Sequence, residues 1–257
     1  MSLDALPLWS ILFGTIALVL LSIETGIRQG RRRQRAGKGK LEVSAAMVGA
    51  VMGLLSFLLA FTFNGAATRH ESRKAMVVKE ANAVEQAWLR AGFLDERQAG
   101  DLRSLLRLYV DVRLNGVTGG PAALAPALRQ SLELHAKMWA LVEEAGRRAP
   151  GSIVVGLLVQ SINEVIDVHV ERFTLAVRNR VLPTIWLTLY LLLVAGMLAT
   201  GVQIGQSTTR QFSLELALAL TFSTVMFLIV DLDRPREGLL TVSQEAMVDL
   251  QTRMRAH

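Results

Sequence analysis

Asp231 and Asp233 stand two residues apart in the stretch DLDRPRE, and a pair of carboxylates at that spacing offers oxygen ligands to a cation. A calcium loop needs more oxygen donors at regular intervals, so with Arg234 and Pro235 the pair also reads as a charged turn at a membrane exit. Two further carboxylates sit at the ends of apolar runs. Glu24 is either a proton relay or the partner of Arg28 in an i,i+4 ion pair. Glu215 is placed to snorkel toward an interface. Of the four histidines, His70, His135, His169 and His257, no two are close in sequence and none has the HExxH spacing of a zinc site, so each reads as structural or solvated. There is no cysteine, hence no disulfide or thiolate chemistry. No nucleophile elbow, phosphate-binding glycine loop or zinc signature occurs, so neither an enzyme nor a cofactor is expected.

A different chemistry is written in AAMVGAVMGLLSFLLAFTFNGAAT. Phe57 and Phe61 are one helical turn apart, with Gly53 one turn before them and Asn64 just after. Repeated around a symmetry axis, these residues would form a hydrophobic constriction with a polar lining group. Gly49, Gly53, Ser56 and Ala60, continuing to Asn64 and Ala67, make a stripe of small residues that admits a neighbouring helix instead. The sequence leaves both readings open, because it does not set the rotation of the helix.

The element that positions these residues is long. Ser44 to Thr68 is uncharged and can cross a hydrocarbon core of roughly 30 Å at 1.5 Å per residue. From Arg69 the polarity changes without a proline, and Val77, Val78, Ala81, Val84, Trp88 and Leu89 keep a helical spacing. One helix is therefore predicted to cross the bilayer and continue into water. Other spans are predicted at 6–27, with Trp9 as interfacial anchor, at 183–205 and at 212–230. A cleaved signal peptide is not expected, because the basic cluster follows the first apolar run. The short connection between the last two spans makes them antiparallel neighbours.

Between the second and third spans the pattern is helical throughout. Leu102, Leu105, Leu106 and Tyr109 mark one apolar face, ended by Gly119-Gly120-Pro121. Leu124, Leu128, Leu132, His135, Trp139 and Val142 mark another, ended by Pro150-Gly151. Val155, Val159, Ile162, Ile166, Phe173 and Val177 mark a third. The expected fold class is all-α: four transmembrane helices with a helical bundle inserted between spans 2 and 3. The divisions are 1–68 (two spans and a basic connection), 69–180 (aqueous bundle), 181–232 (two spans) and 233–257 (a tail in which Ser243 starts a short amphipathic helix).

Charge narrows the partners. The 257 residues are 51% hydrophobic, with a mean hydropathy of +0.37, too apolar for an ordinary soluble domain. The net charge is +6, but Arg28, Arg31, Arg32, Arg33, Arg35, Lys38 and Lys40 crowd one connection between apolar runs. That is a topology signal and, secondarily, a contact for anionic lipid. Residues 69–180 mix 16 basic with 13 acidic side chains, which argues against nucleic acid.

Three stretches, GLLSFLLAFTFNGAATRHESRKAMVVKEANAVEQAWLRAGFL, RSLLRLYVDVRL and LDRPREGLLTVSQEAM, resemble the bestrophin-like membrane proteins of bacteria. That resemblance covers nearly the whole chain and implies a multi-pass protein of the bacterial cytoplasmic membrane. The central helix is also distantly similar to that of true bestrophins, pentameric anion channels. By that similarity Phe57 and Phe61 would form the neck, Gly53 would widen the turn before it, and Asn64, Arg69 and Arg73 would follow. The animal proteins' calcium-binding acidic cluster has no counterpart beyond Asp231 and Asp233, so calcium gating is not implied. The resemblance implies a homo-oligomeric ion channel, pentameric and anion-passing. The alternative is a non-catalytic membrane sensory or interaction module whose helical domain binds a protein. The basic connection, read by the positive-inside rule, lies in the cytoplasm and puts the bundle outside, whereas bestrophins keep that domain in the cytosol.

Overall fold

A computed structural model of the chain describes residues 7–36, 45–177, 180–206, 212–234 and 238–256. Within them the secondary structure is helical, with no strand. The helices are α1 (Leu8–Arg35), α2 (Ala45–Ala91), α3 (Glu96–Thr118), α4 (Pro121–Arg148), α5 (Ile153–Val177), α6 (Pro183–Gly205), α7 (Phe212–Asp233) and α8 (Glu245–Ala256). Five contain a stretch apolar and long enough to cross a membrane: α1, α2, α5, α6 and α7.

The helix boundaries follow local chemistry. Asp95 caps α3 by accepting a hydrogen bond from the Gln98 N–H at 2.9 Å. The α3–α4 break falls at Gly120 and the α4–α5 break at Gly151, whose φ angles of 74° and 85° favour glycine. Ser243 Oγ accepts from the Glu245 N–H at the start of α8. The arginines 28, 31, 32, 33 and 35, expected in a connection, instead form the last turns of α1. Nothing there breaks a helix, and cations at a helix C-terminus offset its dipole. Lys38 and Lys40 lie outside the described residues, as do Pro235, the connection at 207–211 and the side chain of Val177.

The chain divides into two compact units. One comprises Met1–His70 and Arg180–Thr241, the other Glu71–Asn179 and Val242–His257. The unbroken helix α2 contributes to both.

In the first unit α1 packs along both α6 and α7. Its core includes Ile23, Ile27, Leu55, Leu59, Leu189, Leu193, Met197 and Met226. The α1–α6 contact is made by glycines. A Cβ placed on Gly26 or Gly30 of α1, or on Gly201 or Gly205 of α6, would come within 3 Å of the facing helix's backbone. Two GxxxG pairs thus let the two backbones approach directly. Thr15 Oγ1 and the Tyr190 hydroxyl add a hydrogen bond of 3.1 Å across the same pair.

In the second unit α3 packs on α4 and α8, and α4 on α5. Its core takes Val77, Ala81, Val84 and Trp88 from α2, Leu102, Leu106 and Tyr109 from α3, Leu158, Ile162 and Val165 from α5, and Met247, Leu250 and Met254 from α8. Helix α4 is rotated from the expected stripe. Ala127, Ser131, Leu134, His135, Met138 and Val142 are buried, whereas Leu132 and Trp139 are exposed. Small residues decide this face, since a Cβ on Gly116 would fall 2.7 Å from that of Ala127. On α5, Leu158, Val165 and Val168 join Ile162 as the buried positions, while Val159 and Ile166 are partly buried.

Candidate functional site

Helix α2 has two sides in the first unit. Val48, Leu55, Leu59, Thr62 and Ala66 recur at steps of three, four and seven and are buried. The other side gathers Gly49, Gly53, Ser56, Phe57, Ala60, Phe61 and Asn64, all exposed. Phe57 and Phe61 are 66% and 71% exposed. A Cβ on Gly49 or Gly53 would meet nothing within 4 Å among the described residues. The small-residue stripe and the aromatic pair, two alternatives in the sequence, therefore share one face.

Asp231 and Asp233 are buried, and their oxygens bind protein groups. Asp231 accepts hydrogen bonds from the N–H groups of Leu239, at 2.8 Å, and Leu240, at 3.2 Å. Asp233 accepts from the Val181 N–H at 3.1 Å and lies 3.5 Å from an Arg69 nitrogen. The pair ties chain segments together, much as carboxylates do when they accept from backbone donors. Among the described residues, no group of three or more metal-binding side chains could hold a metal ion. Arg234 is buried beside them. Glu24 pairs with Arg28 at 2.9 Å, whereas Glu215 is buried instead of reaching for an interface.

A second polar assembly lies in the core of the other unit. Glu80 of α2 is fully buried. Its Oε1 accepts from the Tyr109 hydroxyl at 2.5 Å and from Arg113 Nε at 2.8 Å. Its Oε2 accepts from a second Arg113 nitrogen at 3.3 Å and from Arg172 Nη1. Burial pushes the Glu80 carboxyl up, but Arg113 and Arg172 outweigh it and hold the group at about 2. Burial and the neighbouring Glu80 charge raise the Tyr109 phenol well above its ordinary value, so it stays a donor. Because Tyr109 gives its proton to Glu80, the His169 Nδ1, 3.1 Å from the same hydroxyl, must carry the proton of that bond. Arg172 extends the network to Gln244 Oε1 at 2.6 Å, just before α8.

His135 of α4 joins this assembly through ring contacts, with no hydrogen bond to its ring among the described residues. Its ring lies 5.1 Å from that of Tyr109 and stands edge-on to His169 at 4.8 Å. Two histidines far apart in sequence thus meet in one core. The signal was present in the periodicity: Glu80 lies three residues after Val77 and four before Val84, on the apolar face, and Arg113 follows Tyr109 by one turn. A charge within an apolar stripe signals a buried partner.

Comparison with known proteins follows from this architecture. The Bestrophin-like domain family matches residues 13–247. No curated protein matches. Among solved structures, the chain is similar to the crystal structure of a membrane protein variant, with a TM-score of 0.66 and 13% identity, over 95% of this chain and 97% of that one. At that identity the likeness is one of fold. The several apolar helices and this neighbour make the chain a multi-pass membrane protein.

Proposed function

The chain belongs to the Bestrophin-like domain family, and from that premise we propose that it is a homo-oligomeric ion channel or pore of the bacterial cytoplasmic membrane, selective for anions. The observation that carries this reading is the exposed face of α2, where Gly53, Phe57, Phe61 and Asn64 align without a facing helix from the described residues of the same chain. Two phenylalanines on a lone subunit's surface gain little, whereas around an axis of several copies they make a constriction that admits an ion only after dehydration. Gly49, Gly53, Ser56 and Ala60 leave room for that close approach. In this reading the spans are α1, the apolar part of α2, α6 and α7. Helix α5 stays in the aqueous bundle, where its Arg172 pairs with Glu80.

The test is conductance of the purified full chain in planar bilayers. Wild type conducts, and Phe57→Ala and Phe61→Ala each raise the conductance by widening the constriction. Silence from wild type and both variants, with the protein shown to be inserted, overturns the proposal.

A further inference from the structure

His135 is 5% exposed, and neither of its ring nitrogens has a hydrogen-bond partner among the described residues. A neutral ring tolerates this site at the cost of one unmet donor and one unmet acceptor. An imidazolium has two N–H donors and a full charge to place, and neither ring nitrogen has an acceptor within hydrogen-bond reach among the described residues. The nearest carboxylate, Glu80, already receives four contacts, from Tyr109, Arg113 twice and Arg172, which occupy the roughly four lone-pair sites of a carboxylate. The groups facing His135 are Glu80 from α2, Tyr109 and Arg113 from α3, and His169, itself near Arg172, from α5. Their charged members are one anion between two guanidinium ions, so the pocket already carries positive charge.

We propose that His135 is a proton sensor built into the core of the helical unit: acidification places a charge on its ring and releases α4 from α3 and α5. The device is independent of ion conduction, since its readout is the opening of the bundle itself.

The direction follows from linkage. Burial lowers the His135 ring to about 4, with Glu80 opposing and Arg113 reinforcing that shift, against an ordinary value of 6.5. The packed form therefore binds fewer protons than the opened form between those values. Its full stability is present above the ordinary value and is lost as the pH falls from there toward 4. From the two values the opening equilibrium rises roughly thirtyfold between pH 7.5 and pH 5 for this one group. Glu80 stays ionised throughout that window, being held at about 2.

Amide hydrogen exchange of the full chain in micelles, read by mass spectrometry on peptides of α4 and corrected for intrinsic rates, tests the proposal. Both His135 and His169 are held at about 4, so wild type should lose protection well over thirtyfold between pH 7.5 and pH 5, and His135→Leu, which keeps His169, should lose about thirtyfold less than wild type. An equal loss in both proteins, or none in wild type, overturns it. Should the variant fail to fold, histidine C2–H exchange on wild type gives the answer directly. A His135 midpoint below about 5 supports the sensor, and an ordinary midpoint near 6.5 refutes it.

Discussion

The two units solve the packing problem in opposite ways. In the first, helices α1 and α6 approach through Gly26, Gly30, Gly201 and Gly205, backbone against backbone. In the second, a large apolar core encloses a carboxylate, two guanidinium groups, a phenol and two imidazoles. In the reading proposed above, the contrast reflects surroundings of lipid for the first unit and water for the second. In lipid, apolar side chains gain nothing by leaving the solvent, so association rests on close van der Waals contact and small residues. In water, burial of apolar surface supplies enough free energy for a core to hold charged groups, provided that each one is paired.

The strongest way to break the second unit is therefore to unpair its charge. Glu80→Ala leaves Arg113 and Arg172 buried without their shared anion, and should cost about 3–5 kcal/mol. Urea unfolding of the full chain in micelles, followed through Trp88 and Trp139, measures it. The pairing depends little on pH above about 5.5. A depressed carboxyl contributes its full stability above its ordinary range, and that stability falls only as the pH drops toward about 2. An unchanged midpoint for the variant would show that the network is not essential to the core.

The first unit breaks differently. Gly201→Ala drives a methyl group into the backbone of Ile23 and should destabilise the α1–α6 pair by about 1–3 kcal/mol. Gly53→Ala meets nothing within 4 Å and should leave the fold of the chain intact, with helix propensity favouring alanine by up to about 1 kcal/mol. Thermal unfolding of both variants in micelles sharpens the comparison. A large loss at Gly53 would show that its face is already occupied by another copy under those conditions.

An effect comparable to that at Gly201 is expected at the end of α7. Asp231→Ala removes the acceptor for the Leu239 and Leu240 N–H groups and should cost about 1–3 kcal/mol. Faster amide exchange at residues 239 and 240, with little change elsewhere, is the expected signature.

Much of the fold was legible in the sequence. The apolar runs, the continuation of α2 past Arg69 and the glycine breaks at 120 and 151 are local features, and local chemistry decides them. The amphipathic face of α8 was legible for the same reason. The rotation of α4 was not. Leu132 and Trp139 keep a helical apolar spacing with Leu124 and Leu128, yet the need for α4 to come close to α3 at Gly116 turned the face of Ala127, Ser131 and Leu134 inward. Likewise one GxxxG pair, Gly49 and Gly53, was singled out, whereas close packing within the chain uses two others with the same spacing. A motif gives the capacity for close approach, and a facing surface is needed to use it.

What the sequence by itself determined is most of the elements: which segments are helical and where the glycine breaks fall, although α5, one of five described helices apolar and long enough to cross a membrane, was not among the four spans expected. Spacing along one helix reports these because they depend on neighbours within a turn or two. What only the tertiary structure decided is which residues meet. Glu80, Tyr109, Arg113, His135, His169 and Arg172 come from four helices, and each taken alone looks ordinary. Their convergence depends on the rotation and register of every helix in the bundle, quantities set jointly by packing across the core and carried by no single stretch of the chain.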